Sequence, residues 1–173
     1  MSQVALQLSF AEGDKILEIG GFNRPLFHPN IDINKVDGVD AVVDVGGERL
    51  PFDDGSFDGI YSSFCFEHIS HTRIGYLISE CYRVLKNGGT MVLITANLLE
   101  QCRRVVEHEG DETLGNQVLI FGGQGEEGME AGSHKSSMTP KLAIRLFADA
   151  GFSEVKVLEH PASITDMILE VKK

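Results

Sequence analysis

Residues 57–95 constrain the fold most, because their pattern is that of a strand, an amphipathic helix, a glycine turn and a second strand. Within residues 69–86, apolar side chains recur at the three-and-four spacing of a helix with one buried face. The sequence NGG at residues 87–89 tolerates the left-handed backbone that ends a helix. The apolar run 90–95 then suits a strand covered on both faces of a sheet. Strands alternating with helices in this way predict an open α/β sheet.

Three short β-rich runs precede this unit, and each ends in residues suited to a binding crevice. The first is closed by Gly20 and Gly21, and the next two end in or near Asp32 and Asp44. Only short loops separate these runs, so full crossover helices do not fit between them. Ligands of doubly wound sheets bind beyond the carboxyl ends of the strands, where glycine permits a close backbone approach. We therefore expect the functional side of the sheet to lie there.

The second half of the chain holds a weak and a strong helical pattern. Residues 98–108 have the apolar spacing of a helix, and Thr139 and Pro140 predict the start of another, which runs to Gly151. Two final strands are expected to be antiparallel neighbours. The full set of predicted strands is residues 15–19, 30–33, 39–44, 59–63, 90–95, 155–158 and 167–171.

Composition and charge narrow the class of protein. A length of 173 residues favours one domain, residues 1–173, with a real core. No run approaches the roughly 18 unbroken apolar residues of a membrane span, and the N-terminus lacks a signal-peptide pattern. The three cysteines are scattered without metal-ligand spacing, so we expect reduced thiols in a cytoplasmic protein. A net charge of -11 repels phosphate backbones, which argues against a nucleic-acid partner.

Several motifs in a fixed order carry a resemblance to a known family. They are LEIGG at residues 17–21, LPFDDGSFD at 50–58, EHI at 67–69, ECYRVLKNGG at 80–89 and LFADAGF at 146–152. Together they resemble a class I S-adenosylmethionine-dependent methyltransferase of the small type 11 branch. The resemblance implies a Rossmann-like, doubly wound, mostly parallel seven-stranded sheet with an antiparallel C-terminal strand and shortened first crossovers. It also implies S-adenosylmethionine as cofactor and S-adenosylhomocysteine as product.

The same resemblance assigns one set of residues to the amino-acid end of the cofactor. Glu18, Gly20 and Gly21 would form the loop beneath its carboxylate and amine. Ser62 and Ser63, at the end of the fourth strand, would face its methionine portion.

A second set is assigned to the nucleoside. Asp32 would accept hydrogen bonds from both ribose hydroxyls, and Ile33 would pack on the adenine. Asp44 would accept from the exocyclic amine, while the Val45 amide would read the ring. Taken without the family, either aspartate is equally well a turn residue at a strand end.

Phe22 departs from the family pattern, because it stands where the loop usually has its second glycine. A bulky ring at the point of closest approach would narrow the pocket or change the path of the loop. The alternative to an enzyme is therefore a non-catalytic domain that binds S-adenosylmethionine or a partner through a degenerate loop. A nicotinamide dehydrogenase is disfavoured, because no Gly-x-Gly-x-x-Gly opens a helix.

Candidates for catalysis and substrate binding follow the fourth strand and the glycine-rich segment. His68 would take a proton from a hydroxyl or amine acceptor, although a packing or capping histidine is the alternative. Glu67, His68 and His71 would need further ligands to hold an ion, so no metal is expected. His134 and Lys135 would contact a carboxylate or phosphate of the substrate, or are plain loop-surface residues.

The acceptor is expected to be a small molecule. The Asn/Asp-Pro-Pro-Tyr motif is missing after the fourth strand, which argues against methylation of the exocyclic amines of bases. The segment 108–138 would act as a lid or variable loop over the substrate. The shortened crossovers leave apolar surface that a homodimer would cover.

Overall fold

A computed structural model describes residues 9–107, 120–122 and 132–173. Their strands are β1 (Ile16–Ile19), β2 (Asn30–Asp32), β3 (Ala41–Val42), β4 (Phe57–Ser63), β5 (Leu85–Ala96), β6 (Glu154–His160) and β7 (Ser163–Lys172). These strands form one seven-stranded sheet in the order β3-β2-β1-β4-β5-β7-β6. Strands β1 to β5 pair in parallel, whereas β7 runs antiparallel to both β5 and β6. The predicted fold class is confirmed.

The described residues include the helices α1 (Ile74–Val84), α2 (Leu98–Glu107) and α3 (Pro140–Asp149), with a 3-10 turn at Phe66–His68. α3 begins as predicted, because the Thr139 hydroxyl accepts the N–H of Leu142 and Pro140 takes the first helical position. The first two crossovers, residues 20–29 and 33–40, contain only turns and bends.

The predicted bounds of the long helix, residues 69–86, are wrong at both ends. Residues 69–73 form a bend and a turn, so the helix begins at Ile74. Leu85 already has extended backbone and pairs with Phe57 at the start of β5. The NGG sequence therefore lies inside the strand, beside a register shift in the β4–β5 pairing. Leu85 is fully buried in its strand, so its place in the apolar pattern did not mark the end of the helix.

The core lies on two faces of the sheet. The larger cluster packs α1 and α3 against one face and includes Leu77, Ile78 and Phe147. On the other face a smaller cluster around Tyr61 is joined by Phe10 and Phe27. The Phe27 ring meets the rings of Phe10 and Tyr61 edge-on, with centroids 5.6 Å apart in both pairs. A side chain from the first crossover thus covers sheet surface where no crossover helix is present.

Most of the predicted lid, residues 108–138, lies outside the described residues, as does the N-terminal stretch 1–8. Residues 120–122 and 132–138 are described, and Gly122 and Ser133 form an isolated antiparallel bridge. Among the parts of the chain that are described, no helix combines the length and the apolar character needed to cross a membrane.

Candidate functional site

A cavity of about 470 Å³ opens at the carboxyl ends of the parallel strands. Its walls come from the loops after β1, β2, β3 and β4, together with Arg73 before α1 and Lys135. A volume of several hundred cubic ångströms suits a ligand the size of a nucleoside. The position is the one expected for the binding crevice of a doubly wound sheet.

Asp32, at the end of β2, connects two of these loops. One carboxylate oxygen accepts the backbone N–H and the side-chain amide of Asn34, each at 2.8 Å. The other accepts the backbone N–H of Phe22 at 3.2 Å. Both Asp32 and the exposed Ile33 beside it line the cavity. The carboxylate is therefore held in place before any ligand arrives.

The wall after β3 is built around Asp44. Its side chain is exposed and accepts the N–H of Gly46 at 3.1 Å, in a short turn that closes on itself. Val45 is buried, and Asp44, Val45 and Gly46 all line the cavity. Arg73 donates to the Gly46 carbonyl at 3.3 Å and brings a cation to this wall.

Gly20 is required at the close approach between β1 and β4. It has a φ of +80°, and an added Cβ would lie 2.5 Å from the Cβ of Cys65. Burial raises the pKa of the Cys65 thiol to about 12, which argues against a nucleophilic thiolate. Gly20 and Cys65 form part of the cavity wall through close packing.

Phe22 has a backbone conformation that glycine adopts more readily than other residues. Its φ is 48°, in the left-handed region that a side chain disfavours, and its N–H points to Asp32. Phe64, after β4, is the other non-glycine residue with positive φ in the described chain, at 51°. Both rings are 45% exposed and both line the cavity. Two strained aromatic residues facing one cavity indicate a functional constraint on this site.

Glu18 does not line the cavity, although it was predicted beside the cofactor. Its buried carboxylate accepts the backbone N–H groups of Leu26 and Phe27 at 2.6 and 2.7 Å. Burial raises the pKa of this carboxyl, and the two backbone hydrogen bonds act in the opposite direction. Glu18 thus holds the first crossover against β1 from behind the cavity.

The other predicted residues divide in a similar way. Those in the cavity wall are Gly20, Asp32, Ile33, Asp44, Val45, His68 and Lys135. Those outside it are Glu18, Gly21, Ser62, Ser63 and His134. Ser62 is buried and donates to the Ile19 carbonyl at 2.9 Å, while the Gly21 N–H donates to Asn30 at 3.0 Å. The roles of both sets toward a cofactor stay predictions.

Sequence reasoning missed several residues of the wall. They are Phe22 as a lining residue, Ile31, Asn34, Gly46, Phe64, Cys65, Ile69, Ser70 and Arg73. A signal for Phe64 was present, since it directly follows the predicted fourth strand. Arg73 carried none, because its place depends on a turn that the sequence pattern had merged into the helix.

His68 occupies the polar end of the cavity. Its Nδ1–H donates to the Ser133 carbonyl at 3.1 Å, because a carbonyl oxygen can only accept. Its ring meets that of His134 edge-on, with centroids 5.3 Å apart. Next to it, Glu67 is buried and accepts from the Thr95 hydroxyl at 3.1 Å, and burial raises the pKa of this carboxyl.

Comparison with known proteins finds a family that part of the chain resembles. The family model described as "Methyltransferase domain" (Methyltransf_11) matches residues 29–93, which span β2 to most of β5. Within those residues the chain resembles the methyltransferase domains of the type 11 branch. A curated relative, the ubiquinone/menaquinone biosynthesis C-methyltransferase UbiE of Rhizobium johnstonii, is 33% identical over 79 residues. That match covers 46% of this chain and 30% of the relative, so the chain spans under a third of its length.

Solved structures show the same methyltransferase fold. An S-adenosylmethionine-dependent methyltransferase from Mesorhizobium loti aligns with a TM-score of 0.64 at 15% identity, over 93% of this chain and 91% of that one. Human N-acetylserotonin methyltransferase, solved in complex with S-adenosylmethionine, aligns with a TM-score of 0.55 at 14% identity. That alignment covers 92% of this chain and 48% of the human one. At such identities the likeness concerns the fold.

Proposed function

We propose that this methyltransferase domain binds S-adenosylmethionine in the cavity and transfers its methyl group to a small-molecule acceptor. The observation that carries the proposal is the placement of Asp32 and Asp44 at the ends of neighbouring strands in one cavity wall. The family match supports the same reaction.

The residues present fit the cofactor. Asp32 offers two carboxylate oxygens at the cavity, as a ribose diol requires, and Ile33 offers an exposed apolar surface for a purine ring. Asp44 and the Val45 backbone would read the edge of the adenine. Gly20 lies in the cavity wall, where the amino-acid end of the cofactor would be placed. When bound, the cofactor supplies a methyl group on a sulfonium, so the protein mainly has to position the reactants.

The polar end of the cavity would receive the acceptor. With Nδ1–H held by the Ser133 carbonyl, His68 carries its lone pair on Nε2, the atom that would take a proton from the acceptor. Lys135, whose backbone N–H donates to the Glu67 carbonyl, adds a cationic group to the wall near His68. In a chain with a net charge of -11, this local positive character favours an acceptor that bears a carboxylate or phosphate.

Calorimetry with S-adenosylhomocysteine tests the cofactor site. Asp32→Asn is expected to weaken binding about 10- to 150-fold, because hydrogen bonds to charged groups contribute about 1.5–3 kcal/mol. Asp149→Asn, at an exposed position on α3, is the matched control and should bind like the wild type. No binding of wild type at millimolar ligand would exclude the function, and an unchanged affinity of Asp32→Asn would exclude the site.

A second candidate is a domain that binds the cofactor or a partner without catalysis. Phe22 favours it, because its ring occupies part of the wall where the family has glycine. Tight binding of S-adenosylhomocysteine without methyl transfer to a panel of small hydroxyl, amine and carboxylate acceptors would support this alternative. The single-domain organisation, the cytoplasmic location and the homodimer stay predictions from the sequence.

A further inference from the structure

Glu67, His68 and His134 form a compact group beside the cavity. One carboxylate oxygen and one ring nitrogen from each histidine lie within 4.8 Å of one another. Donor atoms around a tetrahedral zinc ion with bonds near 2.1 Å are about 3.4 Å apart, so small side-chain movements would close the set. We propose that these three side chains bind a divalent cation, with zinc the best match to two imidazoles and a carboxylate.

The hydrogen bonds that orient these three side chains are of the kind found around bound metal ions. The Nδ1 of His68 and of His134 lies 3.1 and 3.2 Å from the carbonyl oxygens of Ser133 and Ile120. Each Nδ1 must therefore carry the proton in these contacts, which places the lone pair of both rings on Nε2. Metal-binding histidines are commonly oriented by such a hydrogen bond to a carbonyl. The Thr95 hydroxyl fixes the Glu67 carboxylate in the same manner, at 3.1 Å.

Backbone hydrogen bonds join the two segments that supply the ligands. The Glu67 carbonyl accepts the N–H groups of Lys135 and Ser136 at 2.7 and 3.1 Å. The Ser136 hydroxyl donates to the Phe66 carbonyl at 3.1 Å. These bonds hold the segment that carries His134 against the 3-10 turn that carries the other two ligands. The ligand set is thus assembled by the fold even though it is distant in sequence.

His134 supplies the third ligand beside Glu67 and His68. The sequence offered His71 as the third ligand, but His71 is exposed and is outside the group. Glu67 is 2% exposed, whereas a solvated surface carboxylate would be a weak indication of a metal site. A buried carboxylate beside two imidazoles is a setting in which a cation would offset the burial of charge.

The position of the site assigns it a role in acceptor binding. His68 lines the cavity, so the open coordination positions of the ion would face the acceptor. Such an ion favours an acceptor with an oxygen donor, a hydroxyl or a carboxylate. This role rests on the proposed methyl transfer. With the ion bound, His68 is a ligand and no longer the base. The ion would instead lower the pKa of a bound acceptor hydroxyl, and the released proton would pass to solvent water.

Titration of metal-stripped protein with zinc chloride tests the site directly. We expect one zinc ion per chain, and His134→Ala should weaken binding about 100-fold or more. His71→Ala is the matched control and should bind zinc like the wild type. Cobalt(II) should give the visible absorption of a tetrahedral ion in the wild type and lose it in Glu67→Gln, with circular dichroism showing that each variant folds.

Two results would overturn the inference: wild type that binds no zinc at micromolar concentration, or His134→Ala that binds it as tightly as wild type. Binding of S-adenosylhomocysteine, measured in the same samples, separates the two proposals. Protein that binds zinc but not S-adenosylhomocysteine would refute the methyltransferase function alone. Protein that binds S-adenosylhomocysteine but not zinc would refute the metal site alone.

Discussion

Replacing Glu18 tests whether the acid after the first strand serves the cofactor or the fold. Its carboxylate accepts two backbone N–H groups of the first crossover, at 2.6 and 2.7 Å. Glu18→Ala leaves both donors without an acceptor, and each unmet donor costs about 1–3 kcal/mol. Removing a buried charge offsets part of that loss, so we expect the free energy of unfolding to fall by about 2–4 kcal/mol.

Glu18→Gln gives the matched comparison, because it keeps an oxygen acceptor and removes the charge. We expect its stability to lie within about 1 kcal/mol of wild type at neutral pH. Burial raises the pKa of Glu18 above its ordinary value of 4.5, so the folded protein binds more protons above that pH. Wild-type stability should therefore fall, relative to Glu18→Gln, as the pH rises through the window above 4.5.

Urea denaturation followed by circular dichroism measures both effects, with Glu159→Ala on the exposed edge strand as the surface control. The reasoning is refuted if Glu18→Ala is as stable as wild type. A normal stability combined with a large loss of affinity for S-adenosylhomocysteine would restore Glu18 to the cofactor site.

Substitutions at four further positions examine the backbone and one ion pair. The Phe22→Gly variant should be more stable than Phe22→Ala by about 0.5–1 kcal/mol. A Cβ in the left-handed backbone costs about 1–2 kcal/mol, and the greater conformational entropy that glycine loses on folding offsets part of this gain. Gly20→Ala should lower the free energy of unfolding by at least about 2 kcal/mol, because the new Cβ would lie 2.5 Å from the Cβ of Cys65. Gly88→Ala, at a position with positive φ but open space, should lower it by about 1 kcal/mol. Thermal denaturation measures both. Arg83 lowers the pKa of Glu80, so that stabilisation is present above pH 4.5 and is lost as the pH falls below it; Glu80→Gln should flatten this acid limb.

The sheet could be predicted because its strands are short apolar runs with clear ends. The ends of the long helix could not, since apolar periodicity does not change where one buried element passes directly into another. Leu85 is buried whether it closes α1 or opens β5, and only its pairing with Phe57 decides. Ile69 similarly fits the helical pattern but lies in the cavity wall.

The site could be predicted where the signal is local. Asp32 and Asp44 are strand-end acids, and the order of strands alone brings them to one edge. The role of Glu18 could not be predicted without the path of the first crossover. Its hydrogen-bond partners are backbone N–H groups, which leave no signal in the sequence. The approach of His134 to Glu67 depends on hydrogen bonds between distant segments, which no spacing rule describes.

The first crossover links the stability of the sheet to the geometry of the cavity, and Phe27 tests that link. Its ring contacts Phe10 and Tyr61, while the same short loop places the Phe22 N–H on Asp32. Phe27→Ala should lower the free energy of unfolding by about 2 kcal/mol, the value for a half-buried aromatic ring. It should also weaken binding of S-adenosylhomocysteine several-fold, because the loop that positions Asp32 loses its anchor.

A matched loss elsewhere in the core provides the control for Phe27. Phe52 packs edge-on against Phe57 at 4.9 Å, away from the cavity wall. Phe52→Ala should therefore cost a similar amount of stability, about 2 kcal/mol, and leave the affinity for S-adenosylhomocysteine unchanged. Equal effects of the two variants on that affinity would show that general destabilisation, and not the first crossover, transmits the change. An effect confined to Phe27→Ala would mean that the missing crossover helix has been replaced by a loop that both covers the sheet and positions the Asp32 carboxylate.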